Sequence, residues 1–331
     1  MNGARPAGAP REGQTFGGTS QLALWASFVK LPHTLFALPF ALVGVLLASY
    51  EVPVTIRALS WIVVAFTSAR FAAMGFNRIT DRDVDAKNPR TAAREIPRGA
   101  LGVRQATIAV AAASALFLVA AGMLNPLCLA LAPVALAWVL WYSRTKRFTR
   151  YAHLVLGVGL SIAPAGGYLA ITGRWPDPWW LLPVLSLGVA SWVAGFDILY
   201  ALTDADFDRR EGLHSIPAAL GVSRAIVVAR VLHVVSVVAL AATWLALPAA
   251  LRHAAPGAPW ATLPGWLWLA GVAVVAALLL WEHRLVQASD LSKLDAAFFT
   301  MNGVISITFF AFVLAGRLAQ PVVARLGGGA P

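Results

Sequence analysis

The sequence predicts an all-α membrane protein: a polytopic bundle of about nine transmembrane helices with its functional loops on one side. Two observations carry that expectation. The chain is 59% hydrophobic and only 12% charged over 331 residues, against about 25% charged in a soluble domain. Its apolar residues fall into nine long runs, roughly 30–50, 57–76, 103–123, 126–143, 152–172, 179–203, 224–247, 264–281 and 296–316. Each is close to the ~20 residues a helix needs to cross a bilayer. Lipid gives a spanning backbone no hydrogen-bond partner, so each run must be helical or part of a closed barrel. The runs are continuously apolar rather than alternating, which rejects the barrel.

The ends are expected to lie outside the bundle. Residues 1–21 are rich in Gly, Ala, Pro and Arg with no apolar core, which reads as a loose tail rather than a signal peptide. The membrane domain is expected over 22–316, and 317–331, ending "RLGGGAP", as a second tail. One cysteine, Cys128, excludes a disulfide framework or a cysteine metal cluster. The net charge of +11 comes without a basic stripe interleaved with exposed aromatics, so no nucleic-acid partner is expected. Lys and Arg concentrate in 77–104, 144–150, 204–224 and 282–295, all on the side of the N-terminal tail. The positive-inside rule makes that side cytoplasmic, and the expected location is the cell (inner) membrane. "WPDPWW", between the fifth and sixth runs, suits an interfacial anchor on the opposite side.

Two acidic clusters interrupt this apolar pattern. After the second run come Asn77, Asp81, Asp83 and Asp85; after the sixth come Tyr200, Asp204, Asp206 and Asp208. The offsets are four, two and two in both, and both clusters emerge on the same side. Residues four apart share a helix face. If each span continues as a helix, Asn77, Asp81 and Asp85 form one stripe, and Tyr200, Asp204 and Asp208 another. Asp83 and Asp206 then point elsewhere.

Facing carboxylate stripes suit Mg²⁺, which is commonly held by one or two carboxylates plus substrate phosphates. Asn77, Asp81, Asp85, Asp204 and Asp208 are the candidate ligands of Mg²⁺ carrying a diphosphate. Nearby cations fit the anion: Arg90 and Arg94, Lys146 with Arg150 four residues on, and Arg70 on the Asn77 face two turns back. Asp197 lies seven residues before Asp204, on its face and deeper, where proton exchange with a phenol is possible. The competing readings are solvated loop charges, or a transporter with internal similarity.

"NRITDRDVD" followed by "PRTAAREIPRG", and "YALTDADFD" followed by "GLHSIPAALG", resemble the paired motifs of the UbiA superfamily of membrane prenyltransferases. "KLPHTLFALPFAL" and "WYSRTKRFT" extend the resemblance over about 22–316. Arg78 departs from it, standing where the family often has Asp. The first motif is most similar to the 4-hydroxybenzoate polyprenyltransferase-like branch. The resemblance implies Mg²⁺-dependent transfer of a polyprenyl group from its diphosphate to an aromatic acid, in ubiquinone or menaquinone biosynthesis. Dihydroxynaphthoate, homogentisate and protohaem are the alternative acceptors. It implies that Asp81 and Asp204 act in catalysis through the diphosphate, and that Asp197 activates the acceptor. Arg147 is the candidate for the acceptor's carboxylate, and Tyr142 and Tyr200 for the cavity wall.

Overall fold

The computed structural model describes residues 20–247, 263–286 and 294–327. Among them every regular element is helical. The expected N-terminal tail lies outside the described residues up to position 19, as do residues 328–331 of the expected C-terminal one.

The long helices coincide with the apolar runs. They are α2 (Leu31–Ala48), α3 (Ile56–Thr80), α5 (Val103–Leu124), α6 (Pro126–Thr145), α7 (Ala152–Thr172), α8 (Leu181–Tyr200), α11 (Val222–Thr243), α12 (Leu263–Leu285) and α13 (Leu294–Gly327). The last continues well beyond position 316. Short helices lie between them: α1 (Gln21–Phe28), α4 (Arg82–Lys87), α9 (Ala205–Arg210) and α10 (Ile216–Leu220). Among the described residues eight helices are long and apolar enough to cross a membrane. The remaining run corresponds to α2, which carries Pro39 in its interior.

Local chemistry sets the boundaries. Thr55 caps α3 by accepting from the Ala58 N–H at 3.1 Å, and Asn125 caps α6 by accepting from Cys128 at 2.9 Å. Pro126 follows in the first turn of α6, where its missing N–H costs nothing. Gly173, at φ 63°, ends α7 in a left-handed conformation that favours glycine.

The bundle is apolar outside and more polar within, as lipid demands. On α11, Val227, Val231, Val234 and Val238 are exposed, whereas His233 and Ser236 are buried. An aromatic core runs through the centre, with Phe40 against Trp192 at 4.8 Å and Trp268 against Phe309 at 4.9 Å. Helix α8 packs between α7 and α11, and α3 against α5. The α7–α8 contact is close because Gly157 has no side chain: a Cβ there would lie 2.3 Å from the Ala190 carbonyl oxygen.

The expected straight continuation of the spans is broken in both places. Helix α3 stops at Thr80, Asp81 adopts φ −95° and ψ 5°, and α4 begins at Arg82. Helix α8 passes through a 3₁₀ turn, Ala201–Asp204, before α9. A short helix of six residues therefore starts directly after Asp81 and directly after Asp204. In the first break the i to i+4 backbone bonds persist, Asp81 N–H to Asn77 O at 2.9 Å and Asp85 N–H to Asp81 O at 2.7 Å. The stripe survives the kink.

Candidate active site

The two acidic segments meet at one end of the bundle. They close a cavity of about 800 Å³, lined at its mouth by Asn77, Asp81, Asp85, Asp204 and Asp208. Deeper, the lining turns apolar, with Phe117, Leu124, Ala132, Leu156 and Phe196. Arg70, Arg90, Arg94, Tyr142, Lys146, Arg147, Asp197 and Tyr200 also line it, so these candidates share one cavity. Arg150 does not line it and instead stacks on Tyr151 at 5.1 Å.

Burial divides the aspartates as the helical stripe predicts. Asp85 and Asp208 are 5% and 3% exposed, and Asp204 is buried. The side chains of Asp83 and Asp206 are 79% and 83% exposed, each beside a surface arginine, Arg82 or Arg209, at 3.3 Å.

The arginines expected on phosphate contact carboxylates. Arg90 grips both oxygens of Asp204, its Nε donating to Oδ1 at 3.0 Å, and its Nη1 donates to the Tyr200 hydroxyl at 2.7 Å. Its guanidinium lies 4.9 Å from the centre of the Tyr200 ring. Asn88 donates to the same Asp204 Oδ1 at 3.0 Å. Arg94 donates to Asp85 Oδ1 at 2.6 Å. Asn77 donates to Asp81 Oδ2 at 2.9 Å. Arg147 donates to the Thr80 carbonyl at 2.6 Å, lies 3.7 Å from Asp81, and is 48% exposed. It sits at the mouth rather than beside Asp197.

Two carboxylate oxygens remain: Asp85 Oδ2 and Asp208 Oδ2 are buried and accept no hydrogen bond. A buried carboxylate oxygen without a partner is costly, and one such atom comes from each segment. Among the described residues no three His, Cys, Asp or Glu side chains converge to hold a metal by themselves. The donor set therefore suits a hard cation that takes its remaining ligands from a bound phosphate and water. Burial, then the neighbouring Asp85, pushes Asp81 from 3.8 up to about 6, against Lys146, Arg94 and Arg147. Burial opposes charge on Lys146, but Asp197, Tyr142, Asp208 and Asp204 outweigh it and hold its ammonium above the ordinary lysine value.

Further residues bear on the site, and of these Asn88 and Thr91 escaped the sequence reading. Asn88 and Thr91 brace Asp204 and the Asp85 carbonyl. Lys30, in a left-handed turn before α2, lines the cavity with its Nζ 5.8 Å from the Tyr200 ring centre. His153 has Nδ1 2.6 Å from Asp197 Oδ2. Arg78, the departure from the family pattern, is buried at 2% exposure in the last turn of α3 and lines the cavity.

Apolar helices long enough to cross a membrane, with paired acidic segments over an apolar cavity, define a membrane protein whose site joins a charged mouth to an apolar interior. The chain belongs to the UbiA prenyltransferase family, whose profile matches residues 37–304. It is a multi-pass membrane prenyltransferase, which sets aside the transporter alternative. A protein named 4-hydroxybenzoate octaprenyltransferase from Paracidovorax citrulli is 32% identical over 253 residues, covering 75% of this chain and 77% of that one. Another of that name, from Aromatoleum aromaticum, is 28% identical over 74% of this chain and 77% of its own length. Among solved structures, a UbiA homologue from Aeropyrum pernix superposes with TM-score 0.68 at 32% identity, covering 86% of this chain and 97% of its own. A UbiA homologue from Archaeoglobus fulgidus, solved with GPP and Mg²⁺, shares the fold with TM-score 0.65 at 20% identity over 89% of this chain and 99% of its own.

Proposed function

We propose that this chain transfers a polyprenyl group from its diphosphate to a ring carbon of 4-hydroxybenzoate or a related aromatic acid, serving ubiquinone or menaquinone synthesis. The single observation that carries the reading is the pair of partnerless buried oxygens, Asp85 Oδ2 and Asp208 Oδ2, at the mouth of an apolar cavity. Relatives named 4-hydroxybenzoate octaprenyltransferase support the choice of acceptor.

In the reaction the allylic C–O bond breaks and its electron pair leaves with diphosphate. The ring carbon bonds to the allylic carbon and then releases its proton. Asn77, Asp81, Asp85, Asp204 and Asp208 would hold Mg²⁺, whose chemistry when bound is Lewis-acid neutralisation of the leaving diphosphate. Arg90, Arg94 and Lys146 ring the same mouth and are the phosphate contacts. Arg90 would exchange Asp204 for phosphate oxygens, since its fork fits both. The apolar depth takes the prenyl tail and excludes water from the allylic cation. Asp197, below the acidic mouth, accepts the phenol proton and so raises electron density on the ring. Tyr142 and Tyr200 shape the wall.

Arg147 was the expected partner of the acceptor's carboxylate. Its engagement with Thr80 and its exposure favour Arg70 instead, two turns below Asn77 on the same face and lining the cavity. The orientation we infer has the acidic mouth cytoplasmic, in the inner membrane. Incubating the purified protein with labelled prenyl diphosphate, Mg²⁺ and a panel of aromatic acids tests the reading. Prenylated 4-hydroxybenzoate is the expected product, and turnover only with dihydroxynaphthoate, homogentisate or protohaem would replace the acceptor.

A further inference from the structure

We propose that His153 is a positioning residue for Asp197, presenting one fixed ring N–H to its carboxylate so that the other oxygen is left for the acceptor. This rests on the reading of Asp197 as the group that activates the aromatic acid.

His153 sits in the first turn of α7 with no exposed surface. Its Nδ1 lies 2.6 Å from Asp197 Oδ2. Its Nε2 faces the backbone N–H of Ile216 at 3.4 Å. A backbone N–H can only donate, so Nε2 must accept. A neutral imidazole with an accepting Nε2 carries its proton on Nδ1. That proton points at Asp197. The arrangement therefore sets the tautomer from one side and orients the carboxylate from the other. Asp197 lines the cavity, whereas His153 does not. The histidine thus acts through the aspartate and has no path to substrate.

The surroundings hold both partners of His153. Ile216 opens α10, where Ser215 caps the helix by accepting from Ala218 at 3.2 Å. The segment before it is pinned by Leu213 N–H to the Asp208 carbonyl at 2.8 Å and His214 N–H to the Lys146 carbonyl at 2.7 Å. On the other side, Gly157 lies one turn beyond His153 and lets α7 approach α8, which carries Asp197. The sequence places His153 44 residues from Asp197 and 63 from Ile216, so no local pattern announces it.

The test compares His153→Leu, His153→Asn, His153→Gln, Asp197→Asn and the H153L/D197N double variant. Turnover is measured with geranyl diphosphate, 4-hydroxybenzoate and Mg²⁺. H153L is expected to lower kcat about tenfold or more, the effect of losing a hydrogen bond to a charged group. KM for the diphosphate should stay within about twofold, since His153 does not line the cavity. H153N keeps a donor facing Asp197 and should retain most of the rate. H153Q keeps its polar group on the Ile216 side and should be several-fold slower than H153N. In the D197N background H153L should cost less than about twofold, because the two act as a unit.

Wild-type kcat in H153L with a slow D197N overturns the inference alone. The same factor lost in both backgrounds also overturns it, since His153 would then act independently. Wild-type turnover by D197N overturns the reading of Asp197 and the inference with it. If H153L does not fold, the Asn and Gln variants decide, and equal rates for those two overturn the inference.

Discussion

The two acidic segments share a spacing, a kink and a six-residue helix, yet they contribute differently. The first supplies carboxylates and the donors that hold carboxylates of both: Arg94 reaches back to Asp85, and Asn88 and Arg90 reach across to Asp204. The second supplies Asp204 and Asp208 but, among the described residues, no cation paired with the first segment's aspartates. Lys87 also crosses from the first segment, to Glu211 beyond the second, at 2.7 Å. Equal spacing thus fixes where the oxygens point, while the neighbouring residues decide which segment organises the other. The segment 82–94 is an organiser, and the segment 204–208 is a ligand donor.

The variants that test this asymmetry fall in order of size. Asp81→Ala and Asp204→Ala should each cost about 1,000-fold or more in kcat, since each removes a carboxylate that would hold the Mg²⁺ neutralising the leaving diphosphate. Arg90→Ala should come next, with a loss of about 100-fold shared between kcat and KM for the diphosphate. It removes both of the arginine's bonds to the buried Asp204, to which Asn88 still donates, and its bond to the Tyr200 hydroxyl. Arg94→Ala should be milder than Arg90→Ala, because Arg94 donates to a carboxylate of its own segment whereas Arg90 ties the two segments together. The reverse order would break the comparison.

A pH effect is smaller. Burial raises Asp81 from 3.8 to about 6, so this group binds its proton more tightly in the folded, metal-free protein than when unfolded. Its contribution to stability is present below 3.8 and is lost as pH rises towards 6. The same proton competes with Mg²⁺. The Mg²⁺ concentration for half-maximal rate should therefore rise roughly fourfold between pH 7.5 and 5.5. A flat dependence would remove Asp81 from the metal site. Smallest of all, Asp83→Ala and Asp206→Ala should change kcat by less than about threefold, because both carboxylates face solvent.

The sequence was most legible where a single rule dominates. Bilayer thickness fixes span length, so the apolar runs and the helices nearly coincide. The i, i+4 rule separated the part-buried Asp81 and the buried Asp85, Asp204 and Asp208 from the exposed Asp83 and Asp206. The spacing did not show the breaks at Asp81 and in Ala201–Asp204, which arise where each chain turns to close the mouth. The pairings were hidden for another reason. Arg90 and Asp204 are 114 residues apart, Asn88 and Asp204 116, and His153 and Asp197 44. Such contacts are properties of the packed bundle. The placement of Arg147 on the Thr80 carbonyl follows from the same kink, which leaves the end of α3 with a carbonyl to satisfy.

The central claim is that the two segments together form one cation-dependent diphosphate site. It is tested most directly by titrating Mg²⁺ against prenylated product for the wild type, Asp85→Asn and Asp208→Asn, with an EDTA-treated control. The account predicts no product in EDTA, restoration by Mg²⁺, and a half-maximal Mg²⁺ concentration raised about tenfold or more in both variants. Undiminished product in EDTA, or a Mg²⁺ dependence unchanged in either variant, would contradict it.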